Sequence, residues 1–130
     1  MLQELIKAAA NLTEILDVKN KIVIDFENKM NEMACKFPYT MLIQTEQGHS
    51  TYLMWDIQKG SKKNTFRLYI ATSDEKNDEK NNIIKTALME CKLDDRLYYV
   101  PYLPEFIAEY TNYINQMADI LKGSKGRNQM

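Results

Sequence analysis

An α+β fold, with a long N-terminal helix, a three- or four-stranded antiparallel meander and a helical C-terminus, is expected from three features of the sequence. Apolar residues recur every three or four positions in the first third, alternate strictly in the middle third, and return to 3–4 spacing after Pro104. These are the two periods that separate amphipathic helices from half-buried strands.

In the first segment Leu2, Leu5, Ala9, Leu12, Leu16, Val23, Phe26, Met30, Met33 and Phe37 hold a heptad register, with a seven-residue step across Lys19. One helix from Leu2 to about Cys35 would be ~50 Å long at 1.5 Å per residue. A domain of this size cannot cover such a seam, so part of it is expected to meet a second chain. The competing reading breaks the helix near Asp17–Asn20 and makes Ile22-Val23-Ile24 a short strand. Pro38 ends the helix in either case, because the residue before proline avoids helical geometry.

Three alternating stretches follow, Tyr39–Thr45, Thr51–Lys59 and Thr65–Thr72, separated by two glycine-containing polar turns. Glycine and polar residues of this kind join antiparallel strands. Every second residue assigns Met41, Ile43, Leu53, Trp55, Ile57, Phe66, Leu68 and Ile70 to the core, and Leu42, Tyr52, Met54, Asp56, Arg67 and Tyr69 to the opposite face. Residues 73–82 (SDEKNDEKNN) contain no apolar side chain and read as a solvated loop. Ile83–Leu88 fits either a fourth, edge strand or a helical turn. Asp94 or Asp95 suits the start of a short helix through Val100, and Pro101 and Pro104 are expected to break it. Pro104 fits the first turn of a last helix reaching Lys122, with Leu103, Ile107, Tyr110, Ile114, Met117 and Leu121 as its stripe. The sequence therefore reads as one domain over residues 1–122, with a disordered tail over 123–130.

Composition narrows the chemistry. The 130 residues carry 17 basic and 18 acidic side chains, a net charge of -1. Nucleic-acid binding draws on phosphate neutralisation and leaves a basic excess, so extended contact with DNA or RNA is not expected. Two cysteines, Cys35 and Cys91, make no disulfide framework, and the single His49 leaves no zinc pattern. The N-terminus has neither a basic n-region nor an apolar run, and no stretch approaches membrane-spanning length, which points to a reducing cytoplasm. His49 beside Ser50 in an expected turn is no basis for nucleophilic catalysis, and the four glycines form no phosphate loop. No catalytic residue, metal or cofactor is assigned.

Two polar groupings stand out, because arginine is scarce here (three, against fourteen lysines) and grips planar anions in a fork. On the outer sheet face, Tyr52 and Tyr69 flank Arg67 beside Asp56, where the bland alternative is a cross-strand Arg67–Asp56 pair. Further on, Glu90 and Arg96 bracket a helix start that leads into Tyr98, Tyr99 and Tyr102, with a Glu90–Arg96 bridge as the alternative. Candidate ligand-binding residues are thus Arg67, Tyr69, Tyr52, Glu90, Arg96 and Tyr99.

Leu88-Met89-Glu90-Cys91, then Asp95-Arg96, then Leu103-Pro104-Glu105-Phe106 resembles a pattern in small uncharacterised phage and prophage proteins, over the last third of the chain. The resemblance implies an accessory phage product acting in the host cytoplasm. That class includes inhibitors of bacterial defence, among them nucleotide-signal sponges and anti-CRISPR proteins. The functional expectation is a homodimer or higher homo-oligomer that sequesters a small anionic, nucleotide-like ligand. The alternative is an interaction protein that blocks a host protein through its helices or outer sheet face.

Overall fold

The computed structural model describes residues 1–33, 35–60, 64–74 and 83–128. Helix α1 spans Leu2–Glu32 without a break, so the expected rod forms, ~46 Å long. Strands β1 (Tyr39–Glu46), β2 (His49–Ile57), β3 (Phe66–Asp74) and β4 (Ile83–Ala87) follow. They pair only with their neighbours, as one antiparallel sheet in the order β1-β2-β3-β4. Ile83–Ala87 is therefore the edge strand. A 3-10 turn over Leu88–Glu90 leads to helix α2 (Leu93–Tyr99), and a second over Val100–Tyr102 leads to helix α3 (Leu103–Asn128).

Several details differ from the sequence expectation. The first hairpin is tighter: Gln47 and Gly48, both at positive φ (52° and 83°), form a two-residue turn that matches the twist of paired strands. His49 is consequently the first residue of β2, opposite Glu46, and not part of the turn. Neither Asp94 nor Asp95 caps α2. Lys92 occupies the cap position without a side-chain bond, and the two aspartates sit in the first turn, where their charge favours the helix dipole. α2 does end at Tyr99, ahead of Pro101 as expected, and the 3-10 turn that follows accepts proline in its first positions. α3 continues past Lys122, since glycine inside a helix costs only about 1 kcal/mol. Most of the expected 73–82 loop lies outside the described residues, while Ser73 and Asp74 end β3.

The core lies between one sheet face and the helices. Met41, Leu53, Trp55, Phe66, Leu68 and Ile70 from the strands meet Val23, Leu88, Val100, Leu103, Phe106 and Tyr110. Ile43 is only partly buried, because the β1–β2 register shifts between Leu42 and Gln44 and leaves it as the extra residue of a bulge. Ile57 is exposed at the end of its strand. Phe26 makes edge contacts with both Trp55 (5.4 Å) and Phe106 (6.2 Å), and so ties α1, the sheet and α3 together.

β4 is short, and its pairing leaves β3 uncovered from Phe66 to Leu68. α1 closes that gap with two side chains one turn apart. Asn31 accepts from the Phe66 N–H (2.9 Å) and donates to the Phe66 carbonyl (2.9 Å), while Glu27 accepts from the Leu68 N–H (2.8 Å). A helix here supplies the hydrogen bonds of a missing strand, which settles where α1 crosses the sheet.

Candidate functional site

The structure joins Arg67 to Glu90 and Glu90 to Tyr99, and leaves Tyr52 and Tyr69 on the outer sheet face and Arg96 on the helical side. On the outer face, Arg67 reaches Glu90 (Nη1 to Oε1, 3.1 Å) and lies 3.8 Å from Glu27, instead of pairing with its register partner Asp56. Asp56 is taken by Lys85 (3.0 Å), whose ammonium also sits 4.5 Å above the Tyr69 ring. Tyr69 is buried, and Tyr52 is half-buried opposite Ala71. Both salt bridges expected from the sequence are thus exchanged. The two cations Arg67 and Lys85 stand among three carboxylates, Asp56, Glu90 and Glu27, a local net charge of −1. These five side chains carry no excess of positive charge.

Arg96 belongs to the helical side. Its guanidinium donates to Asn20 of α1 (3.3 Å), and its Nε is buried without a partner. Glu90 and Tyr99 share a cleft of ≈ 370 Å³ with Thr72, Thr86, Cys91, Lys92 and Asp95 between β3–β4 and α2. Burial raises the Tyr99 phenol above the ordinary value, with Asp95 adding to the rise and the Thr51 side chain opposing it. The Cys91 thiol donates to the Ala87 carbonyl (3.4 Å), and burial, with Asp95 beside it, pushes its pKa up. A thiol held neutral in this way is a poor nucleophile.

A larger cavity, which no sequence motif marks, lies between α1 and α3. It measures ≈ 400 Å³ and is lined mostly by apolar side chains, Ile22, Phe26, Met30, Met33, Leu103 and Ile107, together with Tyr110, Thr111, Asp25 and Lys29. Phe26 of α1 meets Phe106 of α3, and Cys35, just past the end of α1, meets Tyr110. Along α1, Val23 is the buried residue, and Met1–Ile15 are all exposed. Leu5 (64%), Leu12 (42%), Ile15 (43%), Val18 (57%) and Ile22 (44%) form an apolar strip in water that runs into the groove. The hydroxyl of Tyr110, at its floor, donates to the Phe37 carbonyl (2.6 Å).

Among the described residues, no three His, Cys, Asp or Glu side chains are placed to hold a metal ion, and no helix is long and apolar enough to cross a membrane.

Glu27 has a measurable signature. Burial raises its carboxyl above the ordinary glutamate value, opposed by the Leu68 N–H and by Arg67. A carboxyl whose folded pKa exceeds its unfolded one adds stability at pH below the ordinary glutamate range and loses it as pH rises through the raised value. Glu27→Gln still accepts from Leu68 but cannot ionise. Stability of the native chain is therefore expected to decline over that interval relative to the variant, in urea titrations at stepped pH. Parallel pH profiles for the two proteins would refute this.

Comparison with protein families, curated proteins and solved structures found no match in any of the three.

Proposed function

We propose that this chain is a non-catalytic interaction protein that works as a homo-oligomer, with the α1–α3 face as its self-association surface. The observation that carries the reading is the strip on α1, apolar side chains at 42–64% exposure in unbroken helical register. Monomeric soluble proteins rarely leave contiguous apolar patches of this extent in water, and isolated helical overhangs gain little stability on their own. Under this reading the outer sheet face, with Leu42 exposed and Tyr52 and Met54 half-buried, stays available to another protein. The likeness of the last third to small phage accessory proteins fits an inhibitor that covers a surface of its target.

A second reading, sequestration of a small ligand, is favoured by one feature: the ≈ 370 Å³ cleft that brings Glu90 and Tyr99 together. Glu90 and Asp95 outnumber Lys92 there, so a neutral or cationic molecule suits it better than the anionic nucleotide expected from the sequence.

Light scattering on the purified chain tests the first reading. It is expected to report a dimer or larger assembly, and Ile15→Glu/Val18→Glu is expected to give a monomer. The folded-state circular dichroism of that variant should be unchanged, because both positions are exposed. A monomeric native chain at tens of micromolar overturns the proposal. A thermal-shift panel of cyclic nucleotides and small amines separates the two readings, since a ligand that prefers the folded state raises the melting temperature.

A further inference from the structure

We infer that the occupant of the α1–α3 groove is the projecting half of α1 from a second copy of this chain, laid antiparallel so that each copy fills the other's groove. The inference rests on the self-association reading and specifies its geometry. α1 carries both partners of the contact. Its first half, to Ile15, is exposed throughout, and its second half forms one wall of the groove, from Ile22 to Met33. The halves match in length, each about 22 Å at 1.5 Å per residue, so a two-fold axis near Asp17 superposes one on the other.

Side chains agree with that placement. Leu12 falls opposite the partner's Ile22, and the small Ala8 falls opposite the bulky Phe26, which already lines the groove. Leu5 meets the aliphatic stem of Lys29. The charges also match. The projecting half has three, Glu4, Lys7 and Glu14, and the same antiparallel placement brings them within one or two residues of Lys29, Asp25 and Lys21 of the other copy. Each is opposite in sign to its neighbour. A parallel arrangement would instead place Glu4, Lys7 and Glu14 beside their own equivalents, like charge on like charge.

Disulfide capture distinguishes the arrangements. Leu12→Cys and Ile22→Cys are made as separate full-length variants at exposed positions, mixed, and oxidised, and the linked peptides are mapped so that native Cys35 and Cys91 are scored apart. A 12–22 link is expected in the mixture, with neither variant linking position 12 or 22 to itself. Self-linking of Leu12→Cys alone would overturn the antiparallel arrangement. A dimer by light scattering that forms no 12–22 link would overturn the groove assignment and leave self-association standing. A monomer would remove both.

Discussion

Trp55→Ala is expected to cost about 3–5 kcal/mol of folding stability, the usual range for deleting a fully buried large aromatic side chain. Trp55 has no exposed surface and packs against Phe26 and Phe66 at ring distances of 5.4 and 5.5 Å. Its indole N–H donates to the Cys35 carbonyl (3.0 Å) in the segment that joins α1 to β1. The substitution therefore empties the centre of the core and also orphans a carbonyl at the chain reversal. Native domains hold only ~5–15 kcal/mol in all, so the variant should sit near the edge of folding. Because Trp55 is the single tryptophan of the chain, urea unfolding has to be followed by circular dichroism. Trp55→Phe, which keeps much of the volume but not the donor, should recover more than half of the loss. A loss below ~1 kcal/mol for the alanine variant would contradict the placement of Trp55 at the core.

Asn31→Leu should be nearly as damaging, though the side chain is only half-buried and sits on a helix. Its amide satisfies both the N–H and the carbonyl of Phe66, a residue 6% exposed. Removing both partners leaves two backbone groups without hydrogen bonds, at roughly 1–3 kcal/mol each. The expected loss is about 2–4 kcal/mol. Hydrogen exchange should locate it, with faster exchange at the Phe66 amide and little change in β1. Asn31→Asp retains an acceptor for the N–H and should lose less. If Asn31→Leu matched the native chain within ~0.5 kcal/mol, α1 would not be closing the β3 edge.

These two sites also mark what could be read from the residues alone. Trp55 was legible, because strict alternation from Thr51 put it on the apolar face, and the same periodicity gave the whole of α1, the meander and α3. Asn31 and Glu27 were not. On the heptad pattern of α1 they read as two more polar residues off the seam, and nothing local tells a helix side chain that a strand three dozen positions away will end short. The exchanged ion pairs have the same cause. Asp56 and Arg67 are true register partners, but the edge strand delivers Lys85 to Asp56, and the turn after it delivers Glu90 to Arg67. Charge pairing depends on which flexible ends converge in space, and periodicity carries no information about that. Of the six candidate ligand residues, the geometry unites Arg67 with Glu90 and Glu90 with Tyr99, while Arg96 turns away to Asn20.

The strand order has a bearing on how the chain assembles itself. Each strand joins the one made just before it, so the sheet grows by successive local hairpins, the kind of closure that costs least chain entropy and proceeds fastest. The first helix, by contrast, is synthesised first yet finds its anchorage at Phe66 and Leu68 only after the third strand exists. Its greasy flank must therefore wait in solvent through the interval in which the rest is made. If the chain self-associates as proposed, a second nascent copy nearby is a companion available during that wait.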